Sequence, residues 1–142
     1  MVAINEALLL SVRPSFAKMI LSGEKTIELR RTKPRLIGGD HVLLYESSPT
    51  MALVGLFEVD HVITGTPSSL WRRVRDKAGI SKAIFDSYFC GATDGYGIVV
   101  RKVKSLSCSV PLETLRRIMP GFHPPQSYRY LDRSELDVLL EQ

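Results

Sequence analysis

Cysteine is scarce in this chain of 142 residues, with only Cys90 and Cys108. Two thiols build neither a disulfide framework nor a metal cluster. Cys90 lies in an amphipathic segment and Cys108 near a strand end, so both read as reduced structural thiols of a cytosolic protein. The three histidines, His41, His61 and His123, stand far apart without metal-ligand spacing, so neither metal nor cofactor is expected. No apolar run approaches membrane-spanning length. The stretch from Met1 to Leu10 is apolar, but Glu6 and the lack of a basic start argue against a signal peptide. Ser-His-Asp patterns, phosphate-loop motifs and dinucleotide fingerprints are absent. So are internal repeats, low-complexity tracts and linkers, and residues 1–142 read as one cytoplasmic domain.

What is present is ordinary in amount and informative in placement. Apolar residues make up 44% and charged residues 24%, as expected of a globular chain with a proper core. The formal net charge of +4 and a pI of about 9.2 favour polyanionic partners. Ser22-Gly23-Glu24-Lys25-Thr26-Ile27-Glu28-Leu29-Arg30-Arg31 organises the rest. Gly23 suits the left-handed position that closes a helix. From Thr26 the period is two: Ile27 and Leu29 face one way, Thr26, Glu28 and Arg30 the other, with Lys25 at the strand's entrance.

Around this stretch, Ala7-Leu8-Leu9-Leu10-Ser11-Val12 reads as a buried strand, and Pro14 starts a helix of about two turns through Ser22. His41 to Glu46 forms a third strand. Ala52 through Ile63 forms a long one, where Gly55 marks a bulge or a close backbone approach. Thr66 and Ser81 open two helices, Leu70–Lys77 and one carrying Ile84, Phe85, Tyr88 and Phe89 as an apolar stripe. Tyr96 to Val103 is a strand, Pro111 begins a short helix, and Asp132 or Ser134 caps a last one to Leu140. The segment from Phe122 to Leu131, with Pro124 and Pro125, is expected to run extended without regular structure. Strands among helices without regular alternation indicate an α+β protein with a small mixed sheet or barrel.

Ser11-Val12-Arg13-Pro14, then Gly23-x-Lys25-Thr26-Ile27-Glu28-x-Arg30-Arg31, then Gly39-Asp40-His41-Val42, resembles the ASCH domain family. The Gly55-containing strand, the Phe85-to-Phe89 helix, Gly95-Tyr96-Gly97-Ile98 and the tail from Pro124 to Tyr130 resemble its small single-domain prokaryotic members. The resemblance implies a PUA-like mixed β-barrel flanked by helices. It also implies a cleft beside Gly-x-Lys-Thr suited to RNA or a nucleotide-type ligand, in a regulator of RNA metabolism or translation.

The residues support such a cleft. Lys25, Arg30 and Arg31 offer cationic donors, and Glu28 pairs with Arg30 or accepts from a base's exocyclic amine. Tyr45, Tyr96 and Tyr128 are candidates for stacking, and Ser11 and Ser47 for the walls. Arg72 and Arg75 share a helix face beside Trp71 and suit phosphate contact; the alternative is a solvated face. Two other classes stay open. One is a small hydrolase using Lys25 and Glu28, an amidohydrolase or a ribonuclease. Some small ASCH proteins are amidohydrolases acting on N4-acetylcytidine through a lysine, a threonine and a glutamate. Lys25 matches their lysine, but Glu28 stands at the threonine position and Ala78 near the glutamate's. The other class is a protein-docking module, indifferent to replacement of Lys25 and Glu28.

Overall fold

The computed structural model describes residues 7–142, so the expectation about the leading stretch falls largely outside the described residues. Strand β1 (Ala7–Val12) leads into helix α1 (Pro14–Ser22), and Gly23, at φ 88°, closes that helix as its sequence implied. Strands β2 (Ile27–Arg30), β3 (His41–Glu46) and β4 (Ala52–Gly65) follow, then helices α2 (Pro67–Val74) and α3 (Lys82–Tyr88). Strand β5 (Gly95–Pro111), helix α4 (Leu112–Ile118), strand β6 (Tyr128–Leu131) and helix α5 (Arg133–Leu140) complete the chain. The strands form one mixed sheet in the order β2-β5-β4-β3-β1-β6, in which β1 and β3 are parallel and the other neighbours antiparallel.

Why β1 is so apolar follows from its place. Leu8 and Leu10 enter a core with Val42, Leu44, Phe57 and Ile98, while Leu9 enters another with Leu43, Leu115 and Leu136. A strand covered on both faces needs apolar side chains at both parities. A third cluster joins Ile27 and Leu29 of β2 to Leu70, Val74, Phe85 and Phe89, which holds α2 and α3 beside the central motif. Gly55 sits at a register shift, and a Cβ there would meet the Lys104 carbonyl at 2.7 Å. Thr66 and Ser81 accept from backbone amides as caps, and Asp132 forms a capping box with Glu135.

The sheet curls until its edge strands meet through side chains. Arg30 of β2 donates to Ser127 Oγ, and its guanidinium lies 5.0 Å from the centroid of the Tyr128 ring. Arg35 stacks on Tyr130 at 4.0 Å, and its amide donates to the Tyr130 hydroxyl at 2.6 Å. That seam depends on β6, where the sequence reading is corrected: Tyr128–Leu131 is a strand, not irregular chain. It lies beyond the two prolines and pairs with the open edge of β1, from Leu10 with Tyr128 to Ala7 with Leu131. Other boundaries move too. Strand β5 continues past Val103 to Pro111, and α2 stops at Val74 rather than Lys77. Both cysteines are free and exposed, so they are not packed structural thiols. No described helix is long and apolar enough to cross a membrane.

Candidate functional site

The turn after α1 and the turn after α2 meet, and their backbones fix the site. Thr26 and Ile27 amides both donate to the Lys77 carbonyl, at 2.9 and 3.2 Å. One residue on, the Ala78 carbonyl accepts from Lys25 Nζ at 2.5 Å. Gly79 lets the two segments approach: it holds φ 68°, and a Cβ there would meet Met19 Cε at 2.6 Å and Lys25 Cβ at 3.3 Å. Lys25 is therefore 3% exposed, although it carries an ammonium.

Its partners are few. Glu28 Oε1 lies 3.7 Å away, and the Phe16 ring centroid 5.6 Å away. Glu28, itself buried, also accepts from the Leu29 amide at 3.1 Å. Burial pulls the Lys25 pKa below that of an ordinary lysine, and the neighbouring Glu28 carboxylate pulls it part of the way back.

These two groups line a cleft of about 380 Å³. Ser11, Arg13 and Arg30 add polar and cationic groups, while Phe16, Ile80, Ile84 and Tyr88 supply apolar and aromatic walls. Tyr88 donates to the Leu29 carbonyl at 3.3 Å, which ties α3 to β2; burial raises its pKa. Ser11 Oγ donates to the Pro125 carbonyl at 2.7 Å, so the proline-rich tail lies against the Ser11 side of the cleft. A cleft with apolar walls, a buried lysine–carboxylate pair at its floor and arginine at its rim can take a planar polar ligand carrying an anion.

Of the residues singled out in the sequence, Lys25, Glu28, Arg30 and Ser11 come together here. Glu28 pairs with Lys25 and not with Arg30 among the described ion pairs, because Arg30 is drawn to Ser127 and Tyr128. Thr26 is not in the cleft lining: it precedes β2 and lines a separate groove. Arg31 Nη1 donates to the carbonyls of Tyr88 and Cys90 at 2.9 and 3.0 Å, so it clamps α3 outside the cleft. Tyr45 is packed in the core against Leu9, Leu43 and Leu53, with no open face for stacking. Ser47, Tyr96, Arg72 and Arg75 also lie outside the cleft lining, the two arginines on the exposed side of α2 and its following turn. Sequence reasoning passed over Arg13, Phe16, Ile80, Ile84 and Tyr88 as walls. Ile84 and Tyr88 belong to an apolar stripe with the spacing of core residues, and only the junction of the two turns brings them and Phe16 to one space. Among the described residues, no group of three metal-ligating side chains gathers.

Comparison with known proteins agrees with this architecture. The ASCH domain-containing ribonuclease of Zymomonas mobilis is 29% identical over 131 residues, which span 92% of this chain and 88% of that protein. The crystal structure of ASCH from Zymomonas mobilis matches with a TM-score of 0.89 at 28% identity, covering 95% of this chain and 94% of that one. The N-terminal domain of Thermococcus gammatolerans McrB bound to m5C DNA shares the fold at 8% identity, with a TM-score of 0.58 over 96% of each chain. A family model of the ASCH domain matches residues 10–107, and the chain belongs to the ASCH domain family, with a curled α+β sheet of the PUA-like kind.

Proposed function

We propose that the cleft binds one unpaired nucleotide of a single-stranded RNA. The base lies between Phe16, Ile80 and Tyr88, and its phosphate lies toward Arg13 and Arg30. The observation that carries this reading is the Lys25–Glu28 pair, buried at the floor of an open cleft. A lysine and a carboxylate side by side present a donor and an acceptor to the edge of a base, and aromatic walls suit stacking of an unpaired one. Regulation of RNA metabolism or translation is the role such a binder would serve, in a cytoplasmic protein of basic charge.

The test is binding to short single-stranded RNA across a salt series, comparing wild type with Lys25→Met and Glu28→Gln. Product is sought in the same samples by mass spectrometry. Salt-sensitive binding that weakens in both variants, with intact RNA, is the expected result. Unchanged binding in both would overturn the assignment of the cleft.

A hydrolytic reading has one observation in its favour: the lowered Lys25 pKa makes a neutral amine more accessible beside Glu28. Likeness to the ASCH domain-containing ribonuclease of Zymomonas mobilis supports ribonuclease chemistry. In that reaction a base takes the 2′-hydroxyl proton, the 2′-oxygen attacks phosphorus, and the 5′-oxygen leaves with a proton from a general acid. Deacetylation of N4-acetylcytidine is less well supported, because Ala78 offers only its carbonyl where that chemistry uses a glutamate. RNA fragments formed by wild type and lost in Lys25→Met would replace the binding reading with this one.

A further inference from the structure

A second groove, of about 220 Å³, lies beside the same turn and is not part of the cleft. Lys25 points its ammonium toward the cleft, while the next two residues, Thr26 and Ile27, line the groove. The segment after α2 is shared in the same way, with Lys77 in the groove and Ile80 in the cleft. Because Thr26 and Ile27 amides both bond the Lys77 carbonyl, this short double segment forms the partition between the two spaces.

The groove's chemistry differs from the cleft's. Its floor is apolar, with Ile27 and Ile63 buried, and its rim carries Arg73, Lys77 and His61. The His61 ring nitrogen lies 2.5 Å from the Asp60 carboxylate, so this side chain already has a partner. Arg73 and Lys77 are exposed, and neither enters an ion pair among the described residues. Arg73 Nη1 reaches the Thr64 carbonyl at 3.5 Å, which holds the guanidinium across the groove. No Phe, Tyr or Trp lines it, so it lacks a platform for a base. Two uncompensated cations with the Thr26 hydroxyl suit an oxyanion, and a guanidinium can bind a phosphate bidentately.

We propose that this groove is a phosphodiester subsite, binding the backbone of the RNA strand whose neighbouring nucleotide occupies the cleft. It rests on the cleft reading for the identity of the strand, but not for its own charge. The subsite makes affinity depend on oligonucleotide length, since a mononucleotide in the cleft leaves it empty.

The experiment compares wild type, Arg73→Ala/Lys77→Ala, Lys25→Met and, as a charge-matched control, Arg116→Ala/Arg117→Ala on the exposed side of α4. Each is titrated by fluorescence anisotropy with a single-stranded RNA of about eight nucleotides, within the usual footprint of such sites. Adenosine and cytidine 5′-monophosphates are followed separately by NMR. Circular dichroism verifies folding, which both double variants should retain because all four side chains are exposed. For Arg73→Ala/Lys77→Ala, octamer affinity should fall about tenfold, and the slope of log affinity against log salt should flatten by roughly 0.7 per lost phosphate contact. Mononucleotide binding should stay as in wild type, and the control should lose much less.

Equal losses in the two double variants would mean bulk charge alone and would overturn the subsite. Unchanged octamer binding in Arg73→Ala/Lys77→Ala, with loss in Lys25→Met, would overturn the groove and leave the cleft standing. The reverse pattern would keep the groove and remove the cleft. Absence of octamer binding by wild type would overturn both.

Discussion

The Lys25 ammonium sits 3.7 Å from the Glu28 carboxylate while donating at 2.5 Å to the Ala78 carbonyl. Three residues of spacing bring one charge to the other, and a contact 53 residues away in sequence supplies the carbonyl. The pair is held out of water but not sealed from the cleft. Breaking one side strands the other. Lys25→Met should cost about 3 kcal/mol in urea denaturation, the lower end for an uncoupled buried ion pair. Adding Glu28→Gln to it should cost less than the sum of the single changes. A loss below about 0.5 kcal/mol for Lys25→Met would mean the pair is effectively solvated.

The titration of Lys25 follows from its surroundings. Burial lowers its folded-state pKa below the ordinary lysine value, and Glu28 raises it in part. Lysine ε-carbon NMR should therefore show Lys25 deprotonating before the exposed lysines, and in Glu28→Gln earlier still. For stability the sign is that of a base depressed on folding. Between the folded pKa and that of the unfolded lysine, the unfolded chain binds the extra proton, so this group's contribution rises with pH. Tyr45 and Tyr88 have raised pKa values and act oppositely at higher pH, since the unfolded tyrosines ionise first. Subtracting the Lys25→Met stability curve from that of wild type isolates the lysine. A difference that falls with pH in that window would contradict the desolvated placement.

Gly79 is where backbone geometry and site meet. At φ 68° an L-residue is strained, and the Cβ of Gly79→Ala would press on Met19 and Lys25. The left-handed conformation alone should cost about 1–2 kcal/mol. Calorimetry reads that loss, and the Lys25 NMR shift reads the displacement. A stable variant with an unmoved Lys25 signal would show the turn to be more tolerant than its packing implies.

Arg30 closes the seam between β2 and β6. Its contact with the Tyr128 ring depends on a flat guanidinium. Arg30→Lys keeps the charge and loses the stack and the hydrogen bond to Ser127, at about 1 kcal/mol. Hydrogen exchange should accelerate at the amides of β6 while those of β4 stay protected. Uniform exchange in Arg30→Lys and wild type would place the stability of β6 wholly in its pairing with β1.

Much of the fold follows from local rules. The unbroken apolar run of β1, the glycine closing α1, the caps Thr66, Ser81 and Asp132 and the irregularity at Gly55 each obey constraints a few residues long. β6 does not. Tyr128-Arg129-Tyr130-Leu131 alternates as a strand does, but four residues beyond a proline pair are too short a run to stand alone, and they become a strand because β1 leaves them an edge.

The site divides the same way. Local sequence determined that Lys25, Glu28 and Arg30 stand together after a tight turn, since helix closure and strand alternation act over neighbouring residues. Tertiary structure alone decided that Lys25 is buried against Ala78, that Arg31 is spent on the carbonyls of Tyr88 and Cys90, and that Tyr45 faces the core. Burial and charge pairing are set by segments distant in the chain. A lysine beside a glutamate reads the same in sequence whether water or a carbonyl 53 residues away completes its shell.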